Sequence, residues 1–251
     1  MLYSRQFDKV KTAILISLLV IPFSSLCQSR KKQIGLGTGW IYYAIKDQSV
    51  SSFTHSGSAS PVIFFVKADG EKSKNHIQLS YASSFLTSSS NGFSTNGQIG
   101  YLQFAHHRKF RSKSNNILFF VGGLFDLNIN FRQSSNYSGV SDINGELITS
   151  LSPSLLVELP MRKDLLSAQV WSSIMAVSFQ AGYARSLPPQ LNLLGISEFS
   201  TINWRMAFSK SLAVKWNLRF EYQFQLNNLR KFETLTSLSH QLTTSVIFKV
   251  N

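Results

Sequence analysis

The residues that could do chemistry in this chain fall into two kinds of set. The first is built on histidine, whose neutral ring can take a proton from a nearby hydroxyl and turn it into a nucleophile. His55 and Ser56 are neighbours in a serine-rich stretch, with no acidic residue beside them to orient the ring. His106 and His107 are also adjacent, in a basic stretch, and no further ligands at metal-binding spacing accompany them. His76 and His240 stand alone. Gly35, Gly37 and Gly39 occupy every second position instead of forming a phosphate-binding loop. No catalytic residue, metal ligand or cofactor is assigned from these sets.

The second kind is a row of polar residues at every other position. Arg219 and Glu221 sit in such a row, as do Asp126, Asn128, Asn130 and Arg132. Glu158 and Arg205 hold similar places in their own stretches. Each row is interleaved with apolar residues, so an element of period two must present the charges on one face and the greasy side chains on the other.

Residues 214–226 show that element most plainly. Val214, Trp216, Leu218, Phe220, Tyr222, Phe224 and Leu226 alternate with Lys215, Asn217, Arg219, Glu221, Gln223 and Gln225. A helix would scatter both classes around its circumference, so the pattern predicts a strand. Residues 116–132 repeat it, with Phe119, Val121, Phe125, Leu127, Ile129 and Phe131 on the greasy face. So do residues 202–208 (Ile202, Trp204, Met206, Phe208) and 238–250 (Leu242, Thr244, Val246, Phe248, Val250). Residues 33–45 set Ile34, Leu36, Thr38, Trp40 and Tyr42 against Gln33 and the three glycines, which face either a crowded interior or a bend. Weaker alternation marks 61–67, 76–86, 97–105 and 147–159, where Pro153 removes a ladder donor. Residues 165–183 also suit a helix; the strand reading places Trp171, Met175, Val177 and Phe179 on one face. This makes about ten strands and no helix after the N-terminus. Several are longer than the 5–6 residues usual in soluble proteins and suit the ~9–11 that cross a bilayer obliquely.

The N-terminus directs the chain out of the cytoplasm. Arg5, Lys9 and Lys11 precede the apolar run 12–23, which is too short for a spanning helix. Residues 1–27 read as a signal peptide cleaved after Cys27, and residues 28–251 as one domain. The mature chain then has no cysteine, and its net charge falls from +13 to +11. With 43% hydrophobic and 15% charged residues, the chain is too apolar to be disordered. A pI near 10.0 suggests an acidic partner. The basic residues are nonetheless spread over connections and form no nucleic-acid recognition motif, so no nucleic acid is expected.

An exported chain of long alternating strands either turns its greasy faces inward, as a sandwich, or outward to lipid, as a barrel. Aromatic residues near strand ends on the greasy faces favour the barrel, as two interfacial girdles: Trp40, Tyr42, Phe131, Trp204, Phe208, Trp216, Phe224 and Phe248. Only a closed sheet pairs every backbone group in lipid. The connections also alternate. Basic, mostly short ones (67–75, 106–113, 162–164, 210–215) take turns with Ser/Asn-rich, mostly longer ones (47–60, 87–96, 133–144, 184–197, 227–237), as an up-and-down meander requires.

With its signal, its alternating strands and its terminal strand at 242–250, the sequence resembles the small outer-membrane β-barrel proteins of Gram-negative bacteria, and most of all the type common in the Bacteroidota. The likeness covers about residues 33–251; the chain ends Phe248-Lys249-Val250-Asn251, where a final aromatic is common in such proteins. It implies an all-β, antiparallel, up-and-down transmembrane barrel of about ten strands in the outer membrane, with membrane lipid and the barrel-assembly machinery as partners. The expected function is that of a non-enzymatic barrel whose exterior loops are structural or bind a ligand. Its lumen is closed by Asp126, Asn128, Asn130, Arg132, Glu158, Arg205, Arg219 and Glu221, since a barrel this narrow must pair its buried charges. The alternatives are a lipid-modifying enzyme and a narrow pore for small solutes.

Overall fold

The computed structural model describes residues 31–47, 53–88, 94–110, 116–135, 141–181, 190–230 and 235–250. The stretch read as a signal, including Cys27, lies outside these residues. Thirteen strand segments are present: β1 (Lys31–Asp47), β2 (Thr54–Ala59), β3 (Val62–Asp69), β4 (Ser73–Thr87), β5 (Ser94–Lys109), β6 (Leu118–Ser135), β7 (Ser141–Met161), β8 (Asp164–Trp171), β9 (Met175–Ala181), β10 (Gln190–Gly195), β11 (Phe199–Ser211), β12 (Trp216–Leu229) and β13 (Leu235–Val250). The described residues contain no helix.

The segments build ten staves, because three staves are each broken in two. β2 and β3 run along β1 without a slip in register, Ala59 opposite Ile41 and Val62 opposite Thr38. Pro61 lies in the break and has no N–H to give a ladder. β8 and β9 both lie on β7 and part at residues 172–174. Opposite this gap Leu151 accepts from the Ile174 N–H (2.9 Å). Pro153, two residues on, faces the same side and has no donor to continue the ladder. β10 and β11 run in one direction along β9 and β8, separated by the turn at 196–198. Two stretches expected to be loop, 47–60 and 184–197, therefore contain β2 and β10.

β1 pairs with β13 from Lys32↔Val250 to Asp47↔Leu235, which closes the sheet into a barrel. Stepping between ladder partners from Lys31 through Asp69, Lys74, His107, Gly122, Ser154, Trp171, Asn203, Gln225 and Ser239 returns to β1 at Tyr43, twelve residues along. So large a stagger tilts the strands by about 40° from the barrel axis. One end, here the turn end, carries Lys31, Val250 and the tight connections at 70–72, 162–163 and 212–215. The other is the loop end.

Alternation puts the greasy faces outside. Leu36, Val62, Leu79, Val121, Ile202, Phe220 and Leu242 are all exposed, on staves all round the barrel. Toward the loop end, Tyr42, His240, Phe224 and Trp204 are successive ladder partners with neighbouring rings, Phe224 and His240 at 5.2 Å and Trp204 and Phe224 at 6.3 Å. Toward the turn end Trp216 packs against Phe248, with ring centres 4.9 Å apart. Trp40, Phe131 and Phe208 also face outward.

Inside, the glycines of β1 prove to face a crowded lumen. A Cβ at Gly35 would strike the Phe65 ring, and one at Gly37 would strike Ser245. Trp171 corrects the sequence reading. It points inward and is buried, whereas Met175, Val177 and Phe179 face out. The gap at 172–174 shifts the alternation, so that Ile174 and Met175 are exposed in succession. The apolar core also lies within the lumen. At the loop end Tyr43, Ile45, Leu86, Phe199, Leu229 and Leu235 belong to one buried cluster. Smaller clusters form around Phe65 with Ile63 and Ile247, and around Trp171 with Ala105 and Leu124.

Adjacent glycines of β6 offer a test of this packing. A Cβ at Gly122 would meet the β5 backbone at His106 and His107, while one at Gly123 would meet nothing within 4 Å. Gly122→Ala should lower the unfolding free energy by about 1–3 kcal/mol, the usual cost of overpacking. Gly123→Ala should change it by no more than about 0.5 kcal/mol. Urea titrations of both variants in lipid vesicles measure the difference.

Candidate functional site

Arg205 is the hub of the lumen. It enters from β11 and is 3% exposed, so its charge must be met by protein groups. Its Nε lies 3.3 Å from Glu221 Oε1 on β12. Nε and Nη2 donate to Gln223 Oε1 at 3.1 and 2.8 Å. Nη2 also donates across the lumen to Gln103 Oε1 on β5, at 2.8 Å. Nη1 approaches His76 Nδ1 on β4 at 3.4 Å, and the guanidinium carbon stands 5.3 Å from the Trp171 ring centre. Arg219, two residues from Glu221 on the same face, donates to Glu221 Oε2 through Nη2 at 2.6 Å and Nε at 3.0 Å. One carboxylate thus serves two guanidinium groups in charge-assisted bonds.

The network continues to β6. Gln103 Nε2 donates to Asp126 Oδ1 at 2.9 Å, and the Tyr101 hydroxyl donates to the same oxygen at 2.5 Å. A second node lies nearer the turn end. Lys74 Nζ donates to both oxygens of Glu158, at 2.6 and 2.5 Å, and packs over the Phe120 ring at 4.9 Å. His107 and Gln169 both meet Ser154 Oγ at 2.9 Å.

Of the eight polar residues singled out in the sequence, the structure joins Asp126, Arg205, Arg219 and Glu221 in one network. Glu158 belongs to the second node. Asn128 and Asn130 line a small cavity of about 40 Å³ nearer the loop end, and Arg132 is buried beyond them. Tyr101, Gln103, Gln223, His76 and Lys74 were not counted among the lumen's polar residues. Gln223 was legible on the polar face of 214–226, whereas the others sit in rows whose alternation is diluted by serine and glycine.

The histidine pairs come apart. His55 lies on β2, buried and facing inward, while Ser56 points to the opposite face, so the two cannot act on one substrate. His106 faces out to Asn75 (2.7 Å) and His107 faces in. No group of three or more His, Cys, Asp or Glu capable of holding a metal is found among the described residues.

No protein-family model matches the sequence, and no curated protein does. The fold does match solved structures. The outer membrane protease OmpT from Escherichia coli superposes with a TM-score of 0.59 at 7% identity, over 89% of this chain and 98% of that one. The translocator domain of autotransporter NalP from Neisseria meningitidis gives 0.51 at 11% identity, over 96% of each chain. At such identities the likeness is one of fold, and the fold is that of outer-membrane β-barrels.

Glu221 is the test of the hub. Glu221→Gln strands two buried guanidinium groups, and should lower the unfolding free energy by about 3–5 kcal/mol, the cost of breaking a buried pair from one side. Neutral polar residues at 205, 219 and 221 together should recover part of that loss. Vesicle unfolding of the single and triple variants reads both.

Proposed function

We propose that this protein is an exported, non-enzymatic outer-membrane barrel of the Bacteroidota type, with a closed lumen and loops that meet the exterior. The Arg205 network carries the reading. It joins β4, β5, β6, β11 and β12 across the lumen, and the apolar cluster at the loop end adds a second closure. The exposed apolar band supports lipid as the surroundings, because a water-soluble monomer rarely exposes a contiguous apolar patch above a few hundred Å². Trp216 and Phe224 on β12 are eight residues apart, about 27 Å along the strand and about 20 Å in height at this tilt, close to the ~25 Å apolar band of such barrels. We assign the two outer aromatic groups to the membrane interfaces, the turn end to the periplasm and the loop end to the exterior. On this reading the N-terminal segment is removed at export, and the barrel-assembly machinery inserts the chain.

Two measurements test the proposal. In planar bilayers the purified protein should show no channel steps, and alanine at Gln103, Arg205 and Glu221 together should produce them; steps from the unmodified protein would defeat the closed-lumen reading. In vesicles, Phe220→Arg should cost about 2–4 kcal/mol, as a cation facing mid-membrane lipid does. Val214→Arg, at a turn residue that is 90% exposed, should cost no more than about 0.5 kcal/mol.

A further inference from the structure

Below the Arg205 network the lumen opens into a cavity of about 100 Å³ at the turn end. A water needs about 10–15 Å³ by this kind of measure, so the space holds several waters or one small polyatomic ion. Its walls carry five basic groups, Lys67, Lys74, Lys163, Arg205 and Arg219, against the carboxylates of Asp69 and Glu158. Glu221, behind the wall, is engaged by both arginines, and Glu158 is engaged by Lys74. Two positive charges remain in excess.

The surplus is localised. Lys67 projects inward from β3, with its amine 5.4 Å from the Phe65 ring centre, and no carboxylate pairs with it among the described residues. His76, beside it across the β3–β4 ladder, has its Nε2 buried without a hydrogen-bond partner. A guanidinium can only donate, so the contact from Arg205 makes His76 Nδ1 the acceptor and leaves the proton of the neutral ring on Nε2. Asn217 Oδ1, also on the wall, is buried with no donor bonded to it. One cavity therefore offers an unpaired ammonium, an unused N–H donor and an unused acceptor, a combination that costs free energy while it stays unmet.

We infer that the turn-end cavity is a binding site for a small soluble oxyanion of the phosphate class. Hydrogen phosphate brings negative charge and acceptor oxygens for Lys67, His76 and Arg219, and a hydroxyl donor for Asn217. The cavity opens at the turn-end mouth, past Asp69 and Lys163, so the ion enters from the aqueous side and not from lipid. The site rests on the fold alone and holds whether or not the barrel conducts.

The test uses the full mature chain, folded in detergent, titrated calorimetrically with inorganic phosphate at constant ionic strength in chloride. Saturable binding of one phosphate per chain is expected. Lys67→Gln should weaken it at least tenfold and His76→Phe several-fold, Lys67→Arg should retain it, and Lys46→Gln, at the loop end, should leave it unchanged. Glycerol phosphate should compete, as a free phosphomonoester. No saturable binding, binding indifferent to Lys67→Gln, or binding seen only with phosphatidic acid in mixed micelles would each overturn the inference. Removal of an unpaired buried charge should not impair folding, and urea unfolding of Lys67→Gln without phosphate checks that the variant folds.

Discussion

The pairing of Arg205 with Glu221 sets the terms for the rest of the lumen. An arginine does not shed its proton in a protein, so once buried it must be surrounded by acceptors. Glu221 supplies the charge, and Gln223 and Gln103 supply neutral oxygens from opposite walls. Gln103 then has its amide free to reach Asp126, and Asp126 in turn holds Tyr101. Each group fixes the rotamer of the next. The side chains at this height consequently form one bonded network across the lumen, and the two cavities lie on either side of it.

The size of the barrel makes such a network feasible. Ten staves with a twelve-residue stagger enclose a lumen that side chains from facing walls can bridge directly, as Arg205 and Gln103 do. Where a neighbouring strand crowds the inner face of β1 the chain uses glycine, Gly35 beside its ladder partner Phe65 and Gly37 beside its ladder partner Ser245. Above the network the filling changes character. Tyr43, Phe199, Leu229 and Leu235 fill the lumen toward the loop end with hydrocarbon, whereas the cavity toward the turn end is lined mainly by polar and charged side chains.

Period-two patterning made the architecture readable in advance, because a strand between lipid and a packed lumen cannot exchange its faces. The orientation of Arg205, Arg219 and Glu221 followed from it directly. Trp171 shows where the pattern fails: one inserted residue at the gap facing Pro153 reverses every side chain beyond it, and local alternation carries no record of an insertion. His55 was hidden for another reason. β2 is a six-residue strand of Thr, His, Ser, Gly and Ala with no greasy row to announce it. The apolar cluster at the loop end escaped because its members come from eight segments and converge only once the staves are closed. Partners across the lumen, such as Gln103 and Arg205, are set by barrel diameter and stagger, which no single stretch of sequence contains.

The seam between β1 and β13 joins the first described strand to the last, with Lys32 opposite Val250 and Asp47 opposite Leu235. Every other ladder joins staves that are neighbours along the chain and could form as the polypeptide emerges. The seam cannot: β1 has no partner on its free edge until some two hundred residues have followed it. Closing that loop carries the largest entropy cost in the topology and leaves two bare strand edges exposed in the interval. Completion is therefore a single late event, and a chain that stops short of β13 is an open, self-adhesive sheet with no smaller barrel to fall back on.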